Sequence, residues 1–282
     1  MHAAPLVHRF ARATALAAFV LIVAGASVTS TKSGLAVPDW PLSYGQWLPP
    51  MQGGVFFEHG HRMIAGLVAA MVWLLAILAW RGESSAGVRR LAWLAAGAVL
   101  VQAALGGITV LYGLAKPVSV VHACLAQALF STLVFLAVST APPSAEPARP
   151  LDPESLLRLR KAAAAAAGAV YLQLVLGAAY RHGLVSIAPH LAGAVLAFAA
   201  TLFAVYLASA DFPPSAGLWP TAASLGASVL AQVFLGLVAF AARSPVAATL
   251  HVAVGALILA LAVALAAKAH GLVVRQEAPT WA

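Results

Sequence analysis

Four histidines in this sequence keep a strict interval. His61 and His122 stand 61 residues apart, His190 and His251 stand 61 residues apart, and the second pair follows the first by 129 residues. A Gln-x-x-Leu-Gly pattern recurs at residues 102–106, 173–177 and 232–236, and it precedes the next of these histidines by 20, 17 and 19 residues. Ahead of His61 the glutamine is missing, but Gly25 is kept. Imidazole is a proton carrier, a hydrogen-bonding group and the commonest metal ligand. A single histidine inside an apolar segment reads as polar glue between helices. Four of them in a duplicated frame read as two sites of two histidines each. Two imidazoles facing each other across a helical bundle hold a heme iron from both sides. Zinc asks for three or four ligands, and the chain has one cysteine, Cys124, so no cysteine-based metal centre and no intramolecular disulfide can form.

The repeat also sorts the neighbours of His61. An offset of 129 carries His61 onto His190, but it carries His59 onto Ala188 and Glu58 onto Ile187. His61 is therefore the expected ligand, and His59 is expected at the rim on another helix face. Glu58 has no counterpart in the second half. Residues three apart share a helix face, so Glu58 is expected one turn from His61. Its functional reading is a proton-handling group beside an oxidation site. The plainer alternative is a carboxylate that pairs with Arg62 or caps the helix start. Two similar pockets, one with an acid and one without, suggest a reaction site and an electron-supply site. Gly66, Gly106, Gly193 and Gly236 would let a flat macrocycle approach the backbone, or would serve ordinary helix packing. Arg62, Lys116, Arg181 and Arg243 fall at the depth where they would meet two propionates, or would anchor the helix ends at the interface.

The elements that position these groups follow from composition. Of 282 residues, 62% are hydrophobic and only 9% are charged, with mean hydropathy +0.93. A soluble domain is closer to 45–50% apolar and 25% charged, so a water-soluble globule is excluded. Apolar runs of spanning length fall near residues 12–31, 58–80, 88–111, 118–141, 160–180, 186–209, 217–241 and 246–270. The fold class is thus all-α: a polytopic membrane protein of eight helices, arranged as two pseudo-symmetric four-helix bundles related by an axis along the membrane normal. Residues 1–141 form the N-terminal half, with the acid-bearing pocket. Residues 142–159 form a cytoplasmic linker. Residues 160–282 form the C-terminal half, with the pocket that lacks an acid.

The net charge of +8 is scattered between apolar segments, which points to membrane topology rather than to nucleic acid. Arg9, Arg12, Arg81, Arg89, Arg90, Arg149, Arg158, Arg160, Lys161, Lys268 and Arg275 fall on one side, 11 of the 16 cations. Lys32, Arg62, Lys116, Arg181 and Arg243 fall on the other. Both termini are expected in the cytoplasm of an inner membrane, with the four histidines toward the outer face. Arg9 and Arg12 ahead of an apolar run could also mark a cleavable signal peptide, but its removal would unbalance the repeat, so an uncleaved first helix is expected. The outer segment 32–57, rich in Pro and Trp, is expected to be a stiff amphipathic cover.

Residues 28–41 (VTSTKSGLAVPDWP), followed by Glu58-His59-Gly60-His61-Arg62, resemble the heme A synthase family, and the resemblance extends over residues 20–270. It implies an eight-helix membrane oxidoreductase that converts the C8 methyl of heme O to the formyl group of heme A, for terminal oxidase biogenesis. It further implies a heme b cofactor between His190 and His251, heme O near His61 and His122, and Glu58 as the catalytic residue. Heme O as substrate, heme A as product, membrane lipid and an unidentified electron donor are the implied partners, with a heme O synthase or a second copy of the chain as further candidates. The chain departs from members that carry a cysteine pair in the first outer loop: Val37 and Ser43 stand in that region. Cys124 reads as a small core residue. Two other classes compete, a two-heme b electron-transfer protein and a heme carrier or assembly factor. Glu58 and the covering loop favour the enzyme.

Overall fold

The computed structural model describes residues 3–82, 84–142 and 151–272. Arg149, Arg275, both chain ends and residues 143–150 of the expected linker lie outside the described residues. Eight long helices follow one another: α1 (Ala3–Ser30), α2 (Gly54–Arg81), α3 (Ala86–Leu111), α4 (Lys116–Ser139), α5 (Pro153–Arg181), α6 (Ile187–Ala210), α7 (Trp219–Ala242) and α8 (Pro245–Gly271), with one 3₁₀ turn at Pro214–Ala216. Each contains a stretch long and apolar enough to cross a membrane. At 1.5 Å per residue, 24 to 29 residues span roughly 36–44 Å. A hydrocarbon core is about 30 Å thick, so every helix carries its ends into the headgroup layer. The chain is an all-helical, multi-pass membrane protein.

Two helix starts differ from the apolar runs. α1 begins at Ala3, so Arg9 and Arg12 are helical. α5 begins at Pro153, inside the expected linker, and Arg158, Arg160 and Lys161 lie on it. The reason is capping rather than hydropathy. The Asp152 side chain accepts from the Ser155 amide at 2.8 Å, Pro153 occupies the first turn and Glu154 supplies a first-turn acid, all favourable at a helix N-terminus. The charged turns also knit the bundle. Arg160 donates from Nε to Ala269 O at 3.0 Å and from Nη2 to Leu272 O at 2.6 Å, covering carbonyls at the end of α8. Lys268 reaches Thr221 Oγ1 on α7 at 2.8 Å.

Packing divides the helices into two rings. α1, α2, α3 and α4 pack in cyclic order, as do α5, α6, α7 and α8. α1 and α4 of the first ring meet α8 and α5 of the second, which makes a four-helix seam. Two buried cores follow the same division, and Ala256 on α8 is the residue that joins the core of the first ring. Lipid tails are as apolar as leucine, so water exclusion does little to hold membrane helices together, and close van der Waals approach of small residues does more. The fully buried Ala11, Ala76, Ala96, Ala163, Ala204 and Ala256 suit that rule. At the seam Tyr171 Oη donates to Cys124 O at 3.1 Å, and Cys124 is a half-buried free thiol.

Candidate functional site: four histidine stations and a latched loop

Each of the four histidines rests on a glycine of the preceding helix. A Cβ added at Gly25, Gly106, Gly177 or Gly236 would lie 3.0, 3.3, 3.1 or 3.1 Å from Cε1 of His61, His122, His190 or His251 respectively. A side chain at any of these positions would crowd the imidazole above it. The glutamine of the recurring pattern has a role as well. Gln102, Gln173 and Gln232 each donate from Nε2 to the backbone carbonyl of the paired histidine, at 2.9 Å in all three cases. The repeated motif is thus a cradle: the glycine admits the ring and the glutamine, four residues earlier, holds the histidine backbone. At the first station Leu21 occupies the glutamine position.

The expected glycines divide. Gly106 and Gly236 admit an imidazole, and Gly66 faces open space. Gly193 instead receives the side chains of Gln173 and Leu176, so it serves packing within the second ring.

In the second half the rings of His190 and His251 lie 6.3 Å apart between centroids, at 76°. Tyr180 stacks on His190 at 6.2 Å and 14°. Metal–imidazole bonds are roughly 2.0–2.1 Å, and this separation leaves room for one metal ion between the two rings. Nδ1 of His61, His122 and His251 is buried with no hydrogen-bond partner among the described residues. In all three rings Nδ1 lies against the glycine seat, so a bound group would be met by Nε2, the other ring nitrogen able to ligate a metal. Among the described residues no cluster of three or more His, Cys, Asp or Glu side chains is placed to hold a free metal ion. The donor set in the second half is a pair of imidazoles, which suits an iron porphyrin.

The first half carries an added layer. Glu58 is buried, with 4% of its surface exposed. Its Oε1 pairs with Arg62 Nη2 at 2.7 Å, and its Oε2 accepts from the Val37 amide at 2.8 Å. Arg62 Nη1 donates to Asp39 O and Leu42 O, both at 2.8 Å. His59 Nδ1 and Ser43 Oγ hydrogen-bond at 2.8 Å. Three residues of α2 thus latch the loop between α1 and α2. Inside the loop, Asp39 accepts from the amides of Gly45 and Tyr44 at 2.8 and 2.7 Å. These bonds, that from Gly45 first, hold its carboxyl below the usual carboxylate range. The Trp40 ring lies on Gly107, where a Cβ would approach to 2.7 Å, and Ala36 lies equally close over Gly54. The loop is a fitted cover beside Gly106 and His122.

Several expectations are revised by these contacts. His59 is no rim residue: it is 6% exposed and lies beneath the loop, because Ser43 reaches it from above. Arg62 pairs with Glu58 through Nη2 and donates through Nη1 to the carbonyls of Asp39 and Leu42 in the loop. Lys116 donates to Gly183 O at 3.2 Å, and Arg181 turns across the seam to α1. Residue spacing misses the loop contacts, and the Gly106-Gly107 doublet is their one signal in the sequence.

Comparison with known proteins agrees with this arrangement. The chain is 32% identical over 130 residues to a heme A synthase of Geobacillus thermodenitrificans, covering 45% of this chain and 41% of that protein. A heme A synthase of Halalkalibacterium halodurans matches at 32% over 130 residues, covering 45% and 44%. A protoheme IX farnesyltransferase of Halobacterium salinarum matches at 34% over 122 residues, covering 43% and 27%. The chain thus spans under half the length of these curated relatives. The family model described as cytochrome oxidase assembly protein (COX15-CtaA) matches residues 8–189, which include Glu58, His61 and His122 and stop one residue short of His190. With the latched loop and the first two histidine stations all inside that match, the chain belongs to the COX15-CtaA cytochrome oxidase assembly protein family.

Proposed function

We propose that this chain is a heme A synthase, which oxidises the C8 methyl of heme O to the formyl group of heme A. The observation that carries the reading is the asymmetry of the two rings: both have cradled histidines, but only the first has the buried Glu58 and the latched cover. His190 and His251 would hold heme b, which supplies one-electron redox chemistry when bound. His61 and His122 would orient the substrate through its iron, each ring held in place by its glycine seat. The loop closed by Arg62 and His59 would exclude water from the methyl being oxidised. Two successive oxygen-dependent hydroxylations of that methyl, each consuming one dioxygen, two electrons from an external donor and two protons and releasing one water, would give a geminal diol, which loses water to the aldehyde. Glu58 would relay those protons through a carboxylate oxygen, with Arg62 and the Val37 amide fixing its orientation.

The further terms of the reading are an inner membrane with both termini in the cytoplasm, histidine stations toward the outer face, and an electron donor of unassigned identity. Supply of heme O by a farnesylating enzyme accords with the match to a protein named protoheme IX farnesyltransferase. The test is pigment chromatography of the purified protein after co-expression with a heme O supply. A heme A synthase yields heme b together with heme A or a hydroxylated heme O. A two-heme electron carrier yields heme b alone, and that result would overturn the proposal.

A further inference from the structure

Two ion pairs join described residues, Arg62 with Glu58 and Arg158 with Asp211. Arg181, the last residue of α5, is in neither. A cation at a helix end in a membrane ordinarily snorkels outward to the headgroups. Arg181 turns inward instead. Its Nη2 crosses the seam and donates to Ser30 Oγ at 2.6 Å and to Ala26 O at 2.9 Å, both on α1. Ser30 Oγ in turn accepts from Thr249 Oγ1 on α8 at 2.9 Å. Every partner of the guanidinium among the described residues is a neutral oxygen, so its charge is oriented but not neutralised. Thr249 stands two residues before His251, and Arg181 directly follows Tyr180, whose ring stacks on His190. The other outer-side arginines lack this combination: Arg62 is neutralised by Glu58, and Arg243 ends α7 with φ of 50° on the exposed surface.

We propose that Arg181 is the counter-cation for a carboxylate of the ligand held between His190 and His251, and that Ser30 of the opposite ring holds it in position for that role. This rests on the reading of the second pair as a heme site, and the heme propionates are the carboxylates concerned. A guanidinium already bound to neutral acceptors on one side keeps its remaining donors and its full charge for an anion. The seam is thereby part of the second site, because the residue that completes it is held by a helix of the first ring.

The test compares ferric heme b with its dimethyl ester, which has the same iron and macrocycle but no carboxylate. Both are titrated into full-length protein in lipid nanodiscs, with His61→Ala and His122→Ala present so that only the second pair is read. A charge-assisted hydrogen bond implies a preference of about 10–100-fold for the free acid. Arg181→Gln should abolish that preference while keeping the low-spin spectrum, and Arg181→Lys should keep part of it. The midpoint potential of the bound heme should fall in Arg181→Gln, because loss of a nearby positive charge disfavours the electron-rich reduced state. A full preference retained in Arg181→Gln overturns the proposal. So does equal affinity for the two ligands with Arg181 intact, an outcome that needs no Arg181 variant to fold. Absence of any low-spin spectrum with Arg181 intact overturns both the proposal and the heme reading, whereas a low-spin spectrum without acid preference overturns the proposal alone.

Discussion

At the scale of single residues, Glu58 tests chemistry against architecture. It holds the loop through Val37 and Arg62, so a substitution must keep that latch while removing the acid. Gln removes the acid and keeps half of the latch, because its carbonyl still accepts from one partner while its NH2 group faces the other donor. Glu58→Gln is expected to keep heme b and to lose about 10²–10⁴-fold in heme A formation, the usual cost of removing a general acid–base group. Pigment chromatography reads both quantities, and protease sensitivity of residues 33–53 reports whether the loop stays closed. Near-normal heme A would return Glu58 to the latch alone. His190→Ala and His251→Ala should each collapse the low-spin heme b spectrum that two imidazoles impose. His61→Ala and His122→Ala should leave it intact. A full low-spin signal in both His190→Ala and His251→Ala would remove the second half from the heme reading.

At the scale of elements, the glycine seats make a comparison within one helix. α5 carries Gly168, with nothing within 4 Å of an added Cβ, and Gly177, where that atom would lie 3.1 Å from His190 Cε1. Gly168→Ala should stabilise the helix by about 0.5–1 kcal/mol, as Ala restricts the unfolded chain and favours the helix. Gly177→Ala should cost about 1–3 kcal/mol through overpacking, and it should also displace the imidazole and alter the heme spectrum. Denaturant unfolding in mild detergent gives the first quantity and absorption the second. An unaltered spectrum in Gly177→Ala would mean that the seat is incidental. The motif spacing made the seats legible as a pattern, since Gln-x-x-Leu-Gly recurs at one helical interval. Its function was not legible, because the partner of each glycine lies on the next helix at a loop-dependent distance in sequence. The early start of α5 escaped a reading by hydropathy for a related reason: Asp152 and Pro153 act through capping geometry, which an apolar run does not record.

At the scale of the whole molecule, the topology of the spans can be probed with one reagent. Cys124 is the single native cysteine, and Trp47 in the loop between α1 and α2, expected on the outer face, is strongly exposed. In a Cys124→Ala background, Trp47→Cys should react with a membrane-impermeant maleimide in intact cells, while tags at residues 1 and 282 should report the cytoplasm. Labelling of the Trp47→Cys variant only after lysis, or an external report from either tag, would invert or break the eight-helix topology. Sequence by itself determined the eight spans, the duplication and the four histidine stations. These depend on hydropathy and on intervals along the chain, which each segment carries locally. Only the tertiary structure decided that His59 is buried under Ser43, that Arg62 is consumed by the loop, and that Arg181 turns inward to Ser30 rather than outward to lipid. Those outcomes depend on which donors and acceptors are brought face to face across 16, 23 and 151 residues of chain. Helix–helix and loop–helix packing sets that juxtaposition, and residue type and spacing alone do not encode it.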